Sequence, residues 1–317
     1  MQKKKKFFAN HGSQGPCNFL YIRSMKQINL LDWTQIGEWG LGKVYRNNTD
    51  PSIMLKLSKF AGKKDDILEE YELSKYAMEV GLSTPKVYDF VSDGTHYGYT
   101  GELIKGKKSL CRIIADDPSR LNEMAHLFTQ NVKKLHSIKA DPAKVGSRME
   151  FNIEAISKIK YLKKETLQKI IAELRQIPET GTLLHGDLHL GNLITTGERQ
   201  YWIDLGRLRY GNPIVDISQF HFTFTYLPVI CKHIFHISAK QVKAFYDAFV
   251  AEYYGPDRQQ EYEELLHRAE LIQLTGIMRK APLAVWFIPK LQRHLGLKPT
   301  CRLRIIGKLL CRHKEIF

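Results

Sequence analysis

One stretch constrains this chain more than any other: His185-Gly186-Asp187-Leu188-His189-Leu190-Gly191-Asn192, followed further on by Asp204-Leu205-Gly206. Short apolar runs lie at 182–184, 193–195 and 200–203, and Gly197-Glu198 marks a turn between the last two. Runs of this length, bounded by Gly, Asn and Asp, read as buried strands joined by turns. His185, Asp187, Asn192 and Asp204 then sit on loops flanked by those strands. Taken singly, Asp187 reads equally well as a turn residue and Asn192 as a cap. Their joint spacing with Asp204 is what points to chemistry.

The rest of the chain divides by pattern. Residues 33–36, 43–45 and 52–57 read as strands, with glycine-rich residues 37–42 turning the first into the second. Residues 65–80 read as a helix carrying Ile67, Leu68, Tyr71, Leu73 and Ala77, ended by Gly81. A second hairpin follows over 87–91 and 97–103, turning at Asp93-Gly94. Beyond Lys105-Gly106-Lys107 the pattern is mostly helical. Leu121, Met124, Phe128, Val132 and Leu135 form one apolar stripe, and Leu167, Ile170, Ile171 and Leu174 form another. Ser238 with Gln241 makes a capping box ahead of Val242, Phe245, Phe249 and Tyr253. That stripe reads as core, although Asp247 and Glu252 nearby leave an aromatic cage for a cation open.

Charge and cysteine usage narrow the functional classes. The chain of 317 residues has a net charge of +15, but the excess lies at its ends, with six Lys/Arg and one acid in residues 1–32 and eight and one in 290–317. The body is nearly neutral and offers no basic stripe, so no nucleic-acid partner is expected. Five cysteines without a C-x-x-C pair fit reduced thiols in a cytoplasmic protein. The most apolar stretch, residues 220–237, contains Pro228, Lys232 and three histidines and is no transmembrane span. Residues 300–314 place Leu303, Ile305, Ile306, Leu309 and Leu310 opposite Arg304, Lys308 and Arg312. Such a helix packs on the protein, with membrane-surface contact as the lesser alternative.

The spacing H-x-D-x-x-x-x-N then D-x-G resembles the catalytic and metal-binding loops of kinases. The glycine of His185-Gly186-Asp187 is similar to the aminoglycoside phosphotransferase and choline kinase branch, where protein kinases usually carry Arg. The resemblance covers residues 36–220 and implies an α+β, two-lobed protein-kinase-like fold: a small β-rich lobe over 25–104 and a larger helical lobe over 105–317. It implies ATP and Mg²⁺ in the cleft, and transfer of the γ-phosphoryl group to a hydroxyl of a small molecule. Asp187 would position the hydroxyl and accept its proton, Asn192 and Asp204 would hold Mg²⁺, and His185 would buttress the loop.

Upstream, the segment from Gly37 to Val44 resembles the family's phosphate-cradling glycine loop, with Gly37, Gly42 and Val44 in place but Trp39 where the middle glycine belongs. Lys56 fits the strand lysine that contacts the phosphates. Glu70, counted back from Pro85, fits its ion-pair partner, with Glu69 and Glu72 as alternatives. Backbone groups of Glu102 and Ile104 would face the adenine, and Asp216 would brace the catalytic loop.

Only eleven residues separate Asp204 from Asp216. They include neither Ser, Thr nor A-P-E, which leaves no room for the long activation segment of a protein kinase. The competing readings are a nucleotide-binding pseudokinase scaffold, which Trp39 would favour, and a protein Ser/Thr kinase. Residues 1–24 show no periodic pattern and are expected to be a disordered leader or an upstream misreading of a start at Met25.

Overall fold

A computed structural model describes residues 25–39, 42–160, 162–226, 231–232, 235–279 and 310–316. The leader, Gly40, and most of the basic segment 300–314 lie outside the described residues.

The first part of the chain builds one sheet from β1 (Lys26–Gln27), β2 (Trp33–Trp39), β3 (Gly42–Asn47), β4 (Ile53–Ser58), β5 (Val87–Ser92) and β6 (Tyr97–Glu102), in the order β1-β5-β6-β4-β3-β2. Strand alternation sorts its faces. On one face Leu55 and Leu57 pack with Tyr45 and Val91. On the other, Tyr71, Phe90 and Tyr99 pack with Met54, Ile67 and Leu68, seating α1 (Lys64–Glu79) on the sheet. Lys56 has the parity of Met54, and it pairs directly across the ladder with Tyr99. It therefore belongs to the α1 side.

The glycine-rich segment departs from the expected turn. β2 continues to Trp39, and Gly37, Glu38 and Trp39 pair in register with Val44, Lys43 and Gly42 after a bulge at Gln35/Gly37. With Trp39, a good strand former, in place of the middle glycine, the backbone up to residue 39 goes into the ladder. It forms no open loop there.

The second part is helical around one core. Its helices are α2 (Leu110–Asp116), α3 (Leu121–Ser137), α4 (Arg148–Ser157), α5 (Lys164–Leu174), α6 (Ile214–Tyr226), α7 (Ala239–Tyr254) and α8 (Gln259–Arg279). Phe128 of α3, Phe220 of α6 and Phe245 and Phe249 of α7 are fully buried with ring centroids 5.1–6.2 Å apart. Each such ring contributes roughly 1.5–3 kcal/mol by leaving water. Val242, Phe245 and Phe249 are thus core, and no aromatic cage forms from this stripe. The capping box that starts α7 is present in both directions. No described helix is long and apolar enough to cross a membrane.

Between the sheet and these helices lie two small ladders: β7 (Lys108–Ser109), β9 (Leu193–Thr195) and β10 (Gln200–Trp202) in the order β10-β9-β7, and β8 (Thr182–Leu184) paired with β11 (Arg209–Gly211). Trp202 sets its ring edge on Phe128 at 5.9 Å and packs on His185 at 5.2 Å. The turns leaving β8 and β10 are therefore anchored to the helical core.

Candidate active site

The turn after β8 carries His185, Gly186 and Asp187, and it is held from beneath by Asp216 of α6. The Asp216 carboxylate accepts the backbone N–H of His185 at 2.7 Å and of Gly186 at 2.8 Å, and it faces His136 Nε2 at 3.3 Å. Burial alone would push this carboxyl up, but the hydrogen bonds and nearby histidines outweigh it and hold it below the usual carboxylate range. Gly186 has φ +75°, and a Cβ there would lie 2.1 Å from the carbonyl oxygen of Arg207. Only glycine fits this left-handed, crowded position.

His185 is completely buried, and its Nε2–H donates to the carbonyl of Ile203 at 3.1 Å. Because a carbonyl only accepts, that nitrogen carries the proton. Burial lowers the ring's basicity, so His185 stays neutral while joining the two acid-bearing turns.

Asp187 Oδ1 accepts from Gln219 Nε2 at 2.7 Å and faces Arg207 Nη1 at 3.6 Å. Asn192, almost fully buried, donates through Nδ2 to the backbone oxygen of Asp187 at 2.9 Å. Its amide oxygen is the side-chain atom with lone pairs for a cation.

Asp204 follows β10 in the left-handed region at φ +57°, uncommon for a residue with a side chain. Its Oδ1 accepts from Lys56 Nζ at 2.8 Å, and the same ammonium donates to Glu70 Oε1. Burial disfavours the Lys56 charge, yet the surrounding groups, Glu70 and Asp204 among them, raise its pKa above the usual lysine value. Burial likewise works against the Asp204 carboxylate, and Lys56 pulls it below its usual value. Of the three candidate acids on α1, Glu70 reaches Lys56. Glu69 instead accepts from Arg209 Nη2 at 2.6 Å.

Two adjoining cavities share Lys56 and Asp204. One of about 190 Å³ is walled by Val44, Met54, Ile104, Ile203 and Leu205, with Glu102 and Lys107 at its polar edge. The other, of about 460 Å³, adds Gly42, Ser58, Asp187, Gly206 and Arg207. Gly37 lines neither. At the junction of the two parts, the N–H groups of Glu102 and Leu103 are spent on Lys86 and Ser52 carbonyls, at 2.7 Å each. The backbone group that Glu102 could offer an adenine is therefore its carbonyl, whereas the N–H of Ile104 takes no partner among the described residues.

Four residues of the site were not foreseen from sequence. Tyr99 donates its hydroxyl to Glu70 Oε1 at 2.9 Å, on a ring whose burial raises its pKa. Gln219 and Arg207 face Asp187, and Lys107 borders the smaller cavity, where burial lowers its pKa despite the pull of Asp204. The alternation of Tyr99 along its own strand, of the same kind as that of Lys56 on the neighbouring strand, was the one available signal.

A small β-sheet with one helix, a larger helical part, and a lysine–acid–acid cluster between them define a two-lobed, protein-kinase-like α+β fold. The family model described as APH, phosphotransferase enzyme family, matches residues 32–264, and the chain belongs to that family. A thermostable mutant of aminoglycoside phosphotransferase APH(4)-Ia, solved as a ternary complex with ADP and hygromycin B, superposes with TM-score 0.60 at 12% identity, covering 90% of this chain and 92% of that one. ADP-bound aminoglycoside phosphotransferase APH(2'')-Ib gives 0.55 at 18% identity, covering 90% and 94%. A choline/ethanolamine kinase family protein from Mesorhizobium loti gives 0.51 at 16%, covering 90% and 87%. At these identities the likeness is one of fold. A search of curated proteins gives no match.

Proposed function

We propose that this protein transfers the γ-phosphoryl group of ATP to a hydroxyl of a small molecule, with Mg²⁺. The observation that carries the reading is the junction of the two cavities, where Lys56, tied to Glu70 and Asp204, stands beside a wall containing Asp187. A binding scaffold has no need for that whole set.

The donors suit a hard cation: a carboxylate at Asp204, half exposed, and an amide oxygen at Asn192. Mg²⁺ bound there would neutralise phosphate charge as the bond to the leaving oxygen breaks. The Lys56 ammonium, fixed by two carboxylates, contacts the phosphates. Asp187 accepts the proton of the incoming hydroxyl, held by Gln219 from one side and Arg207 from the other. The apolar wall of the smaller cavity, with the N–H of Ile104, unpartnered among the described residues, receives the base. Asp216 and His185 act through the backbone, fixing where Asp187 stands.

Support for a compact acceptor is the eleven-residue span between Asp204 and Asp216, of which residues 209–211 are taken up by β11. No peptide platform fits there. The chosen test is ATP consumption by the purified protein against a panel of alcohols, amino alcohols, sugars and aminoglycosides, beside generic protein substrates. Turnover of a small hydroxyl compound is expected. Robust labelling of protein Ser or Thr with no small-molecule turnover would overturn the reading.

A further inference from the structure

Away from the cleft, α8 meets the segment 310–316 through a buried cluster with no part in phosphoryl transfer. His267 and Glu270 stand three residues apart on α8, the spacing that puts both on one face. His313 comes against them, and the ligand atoms of all three residues lie within 4.8 Å of one another. Glu270 and His313 are fully buried.

The polar atoms of this cluster are poorly satisfied. Both ring nitrogens of His313, and Oε2 of Glu270, lack a hydrogen-bond partner among the described residues. His313 Nε2 is 3.6 Å from Oε2, and Arg312 Nε is 2.9 Å from it, an ion pair outside hydrogen-bond geometry. Oε1 has only long contacts, to His221 Nε2 and the Tyr226 hydroxyl, both at 3.4 Å. The His267 and His313 rings stack at 4.3 Å between centroids.

Both nitrogens of His313 and one oxygen of Glu270 are thus buried without a hydrogen-bond partner among the described residues. A divalent cation would use the lone pair of each neutral ring together with the carboxylate, making ligands of Oε2 of Glu270 and one nitrogen of His313.

We infer that His267, Glu270 and His313 form a binding site for a divalent transition cation, best matched by Zn²⁺, that staples segment 310–316 onto α8. The mixed nitrogen and oxygen donors suit Zn²⁺ over Mg²⁺ or Ca²⁺. Tetrahedral Zn²⁺ spaces its ligand atoms roughly 3.3 Å apart, so the three atoms, within 4.8 Å of one another, would have to draw closer on binding. His221 of α6, whose Nε2 lies 3.4 Å from Glu270 Oε1, is a candidate fourth ligand.

The test uses the full chain, stripped with a chelator and titrated with Zn²⁺ against a chromophoric competitor, with melting followed in parallel. One equivalent is expected to bind and to raise the melting temperature, and Co²⁺ is expected to give the visible absorption of a tetrahedral site. His313→Asn and His267→Asn should each weaken Zn²⁺ binding at least tenfold and abolish the rise, since even outer-shell changes cost 10–100-fold. Asp204→Asn should keep it, which separates this site from the cleft. If His313→Asn does not fold, the partly exposed His267→Asn decides the matter. Absence of stoichiometric binding, or undiminished affinity in the histidine variants, would overturn the inference.

Discussion

Replacing Asp216 by Asn tests how the catalytic turn is held. The buried carboxylate takes three donors: the His185 and Gly186 N–H groups at 2.7 and 2.8 Å, and His136 Nε2 at 3.3 Å. An amide of the same shape has one oxygen. Turned to serve His185 and His136, it sets its own NH₂ against the Gly186 N–H. One buried unsatisfied donor costs about 1–3 kcal/mol, and hydrogen bonds to a charged acceptor lose about half their strength when it becomes neutral, so the variant should be less stable by about 3 kcal/mol. Urea unfolding at pH 7 reads this as a lower midpoint at unchanged slope. The pH dependence has a definite sign. Because the folded carboxyl lies below its ordinary value, its stabilisation is fully present above the unfolded pKa, about 3.9, and is lost as pH falls through the folded value. The gap between the two proteins should be constant from pH 5 to 8 and close in acid. A loss under about 1 kcal/mol, or a gap that grows on acidification, would refute the bracing role.

Gly186→Ala should destabilise the protein by about 2 kcal/mol or more and slow turnover, because left-handed backbone costs about 1–2 kcal/mol and the new Cβ meets the Arg207 carbonyl at 2.1 Å. Thermal melting checks it, and an unchanged melting temperature counts against the tight approach of the two turns. Asp204→Ala should lose Mg²⁺-dependent nucleotide binding, measured by calorimetry with ATP in the presence and absence of Mg²⁺. Undiminished Mg²⁺ dependence would remove Asp204 from the metal site.

Much of the frame was readable because it rests on local periodicity. Lys56 alternates with the buried Leu55 and Leu57, which is enough to put it on the opposite face, and the apolar runs around Asp187 and Asp204 gave β8, β9 and β10 nearly to the residue. The hairpin was read with too long a turn, because glycine content suggests a loop, whereas pairing of Trp39 with Gly42 depends on strand register. Glu69 and Glu70 could not be separated by pattern alone. They differ by a 100° turn of α1, and only the position of Arg209, 140 residues away in sequence, shows which one is already engaged. Gln219 and Arg207 left no sequence signal, since their reach to Asp187 is set by how α6 and the turn after β10 pack.

The central claim is that the carboxylate of Asp187 takes the proton of the attacking hydroxyl in a cleft that binds MgATP independently of it. Asp187→Asn keeps the side chain's shape and removes the proton acceptor, so the most direct measurement pairs single-turnover ATP cleavage with calorimetric MgATP affinity in this variant and the parent. The account predicts a fall in turnover of roughly 10²- to 10⁴-fold with affinity nearly unchanged. A folded variant that keeps most of its turnover would contradict it.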